Sequence, residues 1–166
     1  MKRDYLRVNF LVLWASLSIV KFLLAWRLPL FVDEAFYVWE SRHLAWAYSD
    51  LPGLTAWLIR ASTTLGGQAE LAVRLPFLLI GASLPWWVVR LAARWFGEEQ
   101  GWRAGLLALL MPLSGLLGVL AVPDVPMVFA ALLCLEAIAR CREHVSWPAC
   151  LLLLVGLVVG ALSHYR

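Results

Sequence analysis

Long apolar stretches separated by short polar segments dominate the chain. A membrane core about 30 Å thick needs roughly 20 helical residues, so stretches of that length are candidate membrane-spanning helices. Five qualify, and they cover residues 9–28, 71–91, 102–120, 125–140 and 147–163. The pattern predicts an all-α fold: a polytopic transmembrane bundle of about five spanning helices across residues 1–166.

A further apolar stretch, residues 54–65, is too short to span and contains Arg60. Pro52-Gly53 and Gly66-Gly67 bound it, so we expect an interfacial or re-entrant helix. Residues 29–70 then form a long first outer loop with interfacial helices, and its aromatic residues suit the headgroup layer. Loops of this length inside a bundle are usually functional.

Composition supports a membrane protein and excludes most soluble classes. Hydrophobic residues make up 63% of the chain and charged residues 15%, and the mean hydropathy is +0.79. The arginines are scattered singly instead of forming a basic stripe, so nucleic acid is not an expected partner. Cys134, Cys141 and Cys150 lack metal-ligand spacing and are interpreted as structural thiols.

The distribution of basic residues predicts orientation. If residues 54–65 do not cross, the polar segments on the cytoplasmic side contain Lys2, Arg3, Arg7, Arg90, Arg94, Arg103, Arg140 and Arg142. This is the arrangement that the positive-inside rule favours. We therefore expect a multi-pass protein of the plasma (inner) membrane with a cytoplasmic amino terminus. Five ionisable side chains then share the outer face: Asp33, Glu34, Asp50, Asp124 and His164.

Each of these features has a structural interpretation as well. Asp33 is placed to cap a short helix with Glu34 in its first turn. Asp124 occupies a turn in Pro123-Asp124-Val125-Pro126. The polar residues 163–166 could anchor a helix end.

Other residues predict packing. We expect kinks at Pro76, Pro85 and Pro112. Gly156 and Gly160 fit a small-xxx-small pattern, for which packing inside the bundle is favoured over dimerisation. Glu136 lies four residues before Arg140, which predicts a helical ion pair.

Five segments, taken in order, resemble the amino-terminal part of the polytopic C-type-fold glycosyltransferases. The resemblance is to the family-39-like, dolichyl-phosphate-mannose-protein mannosyltransferase-like enzymes and the lipid A aminoarabinose or galacturonic acid transferases. The segments are Asp33-Glu34-Ala35-Phe36-Tyr37 and residues 54–59, 72–76, 123–126 and 162–165. Relatives often have His-Pro-Pro near residues 50–53 and Lys-Tyr where this chain has His164-Tyr165. Such enzymes are longer, and this chain is similar to their first third.

The resemblance implies inverting transfer of a sugar from a polyprenyl-phosphate donor to a lipid, glycan or protein acceptor at the outer face. Asp33 is the expected general base, Asp124 its helper, and Glu34 the alternative base. The expected substrate contacts are Tyr37, Asp50, Arg74, His164, Tyr165 and Arg166, with Arg74, His164 and Arg166 as candidates for the donor phosphate.

No cofactor is expected with certainty, and a divalent metal is possible. Membrane lipids are expected partners. The 166 residues alone are expected to be inactive. The alternative function is a small transporter or a structural membrane subunit without catalysis.

Overall fold

The computed structural model describes residues 2–112 and 117–165, and within them it contains seven helices and no strand. They are α1 (Lys2–Arg27), α2 (Val32–Glu40), α3 (Leu54–Gly66), α4 (Glu70–Phe96), α5 (Glu98–Leu110), α6 (Asp124–Glu143) and α7 (Trp147–Ser163). The all-α helical membrane bundle predicted from the sequence is confirmed.

Among the described helices, two are long and apolar enough by themselves to cross a membrane, namely the segment Asp4–Arg27 of α1 and all of α4. The shorter helix α7 is also apolar, with 17 residues. Helix α6 has 20 residues and is longer than its predicted segment. These lengths fit a membrane bundle, and the number of five spans stays a prediction.

Helix α3 has 13 residues, which at about 1.5 Å each extend roughly 20 Å. That length is well short of a membrane core about 30 Å thick, as expected for the segment predicted not to span.

The predicted third helix, residues 102–120, is wrong as a continuous element. Helix α5 begins earlier, at Glu98, and ends at Leu110. Met111 is extended, with φ −68° and ψ 131°, because Pro112 disfavours the helical conformation in the residue before it. A kink was expected at Pro112, but α5 ends two residues before it. By contrast, α4 continues through both Pro76 and Pro85.

Helix α1 runs antiparallel to α4. The indole Nε1 of Trp14 donates to the carbonyl of Ala82 at 2.8 Å, and Phe10 packs edge-on against Trp86 with ring centroids 5.0 Å apart. Helix α5 folds back along α4, α6 runs parallel to α4, and α7 returns antiparallel to α6. The chain therefore has two distinct ends.

We call these the loop end and the arginine end. The loop end holds residues 28–53, the start of α4, the start of α6 and the last turn of α7. The arginine end holds the last turns of α4 and α6.

Close backbone contact joins α6 and α7. A Cβ on Gly156 would lie 2.7 Å from the Cys134 Sγ and 3.2 Å from the Ala130 carbonyl oxygen. The Gly156 and Gly160 pattern therefore packs within the bundle, as predicted. A second close approach places Gly118, at φ +91°, against Gly81 of α4.

At the arginine end, the buried Glu136 binds three arginines. Its Oε1 accepts hydrogen bonds from Arg140 at 2.8 Å, which confirms the predicted pair. The same oxygen also accepts from Arg90 at 2.9 Å and Arg94 at 3.0 Å. Arg94 additionally donates to Glu143 at 2.8 Å.

Candidate functional site

The start of α2 is stabilised by Glu34 and not by Asp33. Phe31 is the residue before the helix, and its N–H donates to the Glu34 Oε2 at 3.0 Å. Asp33 is the second residue of the helix, and its carboxylate is exposed. The structural interpretation of Asp33 as the helix cap is therefore wrong. The carboxylate three residues into a helix reaches back to the first free N–H, as in a capping box.

Glu34 and Arg74 form a fully buried ion pair between α2 and α4. The Arg74 Nε donates to Glu34 Oε1 at 2.8 Å and its Nη2 donates to Oε2 at 2.5 Å. Both side chains have 0% exposure. This two-point geometry matches the planar guanidinium to the planar carboxylate.

The remaining donors of Arg74 bind the carbonyl groups at the end of α1. Its Nη1 donates to Ala25 at 3.0 Å and Leu28 at 2.7 Å, and its Nη2 donates to Pro29 at 2.8 Å. The last carbonyls of a helix lack partners within it, and Arg74 satisfies them. A guanidinium has five N–H donors, and these five bonds use all of them. In this structure Arg74 offers no free donor to a substrate phosphate.

Glu34 also binds the segment before α6. Its Oε1 accepts a hydrogen bond from the Ala121 N–H at 2.9 Å. Burial alone would raise the pKa of Glu34, but the bonds from Arg74, Ala121 and Phe31 outweigh burial and hold the pKa below its usual value. The ionised carboxylate thus joins α1, α2, α4 and the approach to α6.

Four carboxylates lie near enough to the half-buried Tyr37 for their charge to act on its hydroxyl. Burial raises the pKa of Tyr37, and negative charge from these side chains raises it further: Asp33, Glu40, Asp124 and Asp50. We call this set, with Tyr37, the acidic face. Four predicted site residues, Asp33, Tyr37, Asp50 and Asp124, are therefore brought together.

Glu40 also belongs to this face, although the sequence pattern was not interpreted in that way. Glu40 is 3% exposed, and burial together with the nearby charge of Asp50 raises its pKa. A signal for it was available, because Asp33, Tyr37 and Glu40 are spaced four and three residues apart on one side of a helix.

The polar end of α7 reaches the same region. The Tyr165 hydroxyl donates to the Tyr48 carbonyl at 2.8 Å. Tyr48 in turn orders the loop, since its hydroxyl accepts from the Ala45 N–H at 3.1 Å and lies 3.0 Å from the His43 carbonyl. His164 follows α7 directly in extended conformation. Arg166 lies outside the described residues.

A metal site does not emerge from the residues that the structure describes. Nowhere in residues 2–112 and 117–165 do three His, Cys, Asp or Glu side chains group so that they could hold a metal ion. The possible divalent metal has no assigned ligands.

Comparison with known proteins identifies the family of the chain. A family model described as dolichyl-phosphate-mannose-protein mannosyltransferase matches residues 50–166. The chain belongs to this family. It is also 31% identical over 139 residues to the lipid A galacturonosyltransferase RgtD of Rhizobium johnstonii, a match that covers 81% of this chain and 29% of that protein. No solved structure matches the chain.

Proposed function

We propose that the protein is a membrane glycosyltransferase. It transfers a sugar from a polyprenyl-phosphate donor to a lipid, glycan or protein acceptor, with inversion at the anomeric carbon. Family membership supports this reaction class. The lipid A relative supports a lipid acceptor among the three. The chain spans 29% of that relative's length. The transfer activity is therefore proposed for the whole protein.

Asp33 is the proposed general base. This assignment rests on the different environments of two adjacent acids. Both oxygens of the buried Glu34 are bound by protein donors, whereas the Asp33 carboxylate is exposed and takes part in no hydrogen bond or ion pair among the described residues. An acceptor hydroxyl therefore has access to Asp33 and not to Glu34.

The proposed reaction is a single displacement. The Asp33 carboxylate removes the proton of the acceptor hydroxyl as its oxygen bonds to the anomeric carbon. The bond from that carbon to the donor's phosphate oxygen breaks, and its electron pair leaves on the lipid phosphate. Asp124 orients the acceptor or the base. Tyr37, Asp50 and Tyr165 are proposed substrate contacts on the same side of the bundle.

Arg74 and Glu34 are proposed positioning residues. Their ion pair fixes the start of α2 against α1, α4 and the segment before Asp124, and so sets where Asp33 stands relative to Asp124. With every Arg74 donor engaged, His164 and Arg166 are the proposed cations for the departing phosphate.

The loop end is proposed to face outward from the plasma (inner) membrane, with the amino terminus in the cytoplasm. The collection of arginines at the opposite end supports this orientation through the positive-inside rule. The positions of the buried glutamates disfavour a transporter. The buried glutamates of the described residues are Glu34 and Glu40 near the loop end and Glu136 near the arginine end, instead of a series through the bilayer.

The test compares Asp33→Asn with Glu34→Gln in membranes that contain the protein from its complete reading frame and a polyprenyl-phosphate sugar pool. Loss of a positioned base is expected to lower the transfer rate about 10²- to 10⁴-fold in Asp33→Asn. Its expression and unfolding are expected to match the wild type. Asp4→Asn is the matched control and should keep the wild-type rate.

A near-native rate for Asp33→Asn would contradict the assignment. If Glu34→Gln is inactive while it remains folded, and Asp33→Asn is active, the two roles must be exchanged.

A further inference from the structure

Two adjoining grooves lie between α4 and α6 near the arginine end. The first, of about 260 Å³, is apolar and includes Leu91, Ala92 and Leu132. The second, of about 430 Å³, is lined by Ala139, Arg142 and Glu143. Trp95 and Phe96 line both grooves, so the two adjoin at these side chains. We call the apolar groove the channel and the polar groove its mouth.

Positive charge is in excess at the arginine end around this mouth. Four arginines, Arg90, Arg94, Arg140 and Arg142, are accompanied there by the two acids Glu136 and Glu143, and Arg142 and Glu143 line the mouth itself. Arg142 is exposed and has no ionic partner among the described residues.

The aromatic residues place this mouth at the level of lipid headgroups. Trp95 is 52% exposed and Phe96 69% exposed at the last turn of α4. Exposed aromatic side chains of this kind are enriched where a membrane helix meets the interface. Basic pockets between membrane helices bind the headgroups of acidic lipids.

We propose that these two adjoining grooves together bind an anionic phospholipid. The lipid phosphate accepts hydrogen bonds from the exposed guanidinium of Arg142. One acyl chain lies along Leu91, Ala92 and Leu132. The site is at the opposite end of the bundle from the acidic face, so the ligand is distinct from the proposed sugar donor.

Charge complementarity selects this occupant over a neutral lipid or an apolar protein segment. A neutral surface would fill the apolar channel but leave the excess positive charge around the mouth unmatched. An anionic amphiphile matches both parts of the groove at once, because its head and its tail differ in polarity as the two grooves do.

The test is a binding titration of the full chain in neutral detergent, read by native mass spectrometry, with phosphatidylglycerol and phosphatidylcholine as probes. We expect phosphatidylglycerol to bind more tightly. Each arginine near a membrane surface contributes about 1 kcal/mol, so Arg142→Gln is expected to weaken phosphatidylglycerol binding about fivefold. Arg42→Gln, which removes an exposed arginine at the loop end, should leave it unchanged.

A second variant tests the channel independently of charge. Ala92→Trp should fill the apolar groove and weaken binding of both lipids, with an unfolding transition close to that of the wild type. Equal binding of the two lipids, an unaltered affinity in Arg142→Gln, or displacement of the lipid by inorganic phosphate alone would overturn the proposal. So would self-association of the chain through this groove without any lipid preference.

Discussion

A buried glutamate faces arginine at each end of the bundle, but the two ends satisfy its charge differently. At the loop end, Glu34 and Arg74 are both fully buried and use two carboxylate oxygens and five N–H donors. At the arginine end, three arginines share a single oxygen of Glu136, and its other oxygen has no partner in the described residues.

The ion pair at the loop end is therefore a fixed connection, whereas the cluster around Glu136 at the arginine end is adaptable. Arg74 has no exposure, so it cannot turn to water if its partner is lost. Arg90 is 53% exposed and can be solvated without Glu136. The loop end therefore has the rigidity that positions catalytic groups, whereas the arginine end can rearrange around a lipid headgroup.

The largest expected effect on stability comes from breaking the loop-end pair. Glu34→Gln leaves the Arg74 charge buried without a counter-charge, which typically costs about 3 to 5 kcal/mol. Denaturant unfolding in detergent, followed by tryptophan fluorescence, measures it. Asp33→Asn, one residue away and exposed, should change the free energy of unfolding by less than about 1 kcal/mol. An equally small effect for Glu34→Gln would remove the contrast between the ends.

The Glu34–Arg74 pair also makes the free energy of unfolding depend on pH, by no more than the loss expected for Glu34→Gln. The folded-state pKa of Glu34 lies below its usual value, so its stabilisation is complete above the unfolded pKa of about 4.3. It is lost as pH falls through the lower folded-state pKa. The unfolding free energies of wild type and Glu34→Gln should therefore converge in acid, and a constant difference down to pH about 2 would contradict this.

A smaller effect is expected for Glu136→Gln. Its arginine partners are partly exposed and turn to solvent, so the loss is that of charged hydrogen bonds, about 1.5 to 3 kcal/mol. The exposed Glu143 provides the control, since Glu143→Gln should cost no more than about 1 kcal/mol. A loss for Glu136→Gln as large as that for Glu34→Gln would show that the two ends are equally rigid.

The helical membrane fold was predictable because length and apolarity alone decide it. Stretches of suitable length in residues 9–28 and 71–91 correspond to α1 and α4. The break at Met111 was missed because residues 104–113 on both sides of it are all apolar, and one backbone restriction before Pro112 ended the helix.

The acidic face was predictable in part. Topology alone grouped Asp33, Asp50 and Asp124. The separate environments of Asp33 and Glu34 were not predictable, because neighbouring helical residues point about 100° apart and the chain's tertiary contacts decide which one is buried. Arg74 and Ala121, which are distant in sequence, donate hydrogen bonds to the Glu34 carboxylate and so determine its buried position.

The central claim is that the two ends face opposite sides of the membrane, with the acidic face outward. Single cysteines at Ser49→Cys, in the loop, and Gln100→Cys, at the start of α5, test it in a chain without native cysteines. Both positions are exposed. An impermeant thiol reagent applied to intact cells should label the first and spare the second, with both labelled after the membrane is permeabilised. Labelling of Gln100→Cys alone in intact cells would contradict the account.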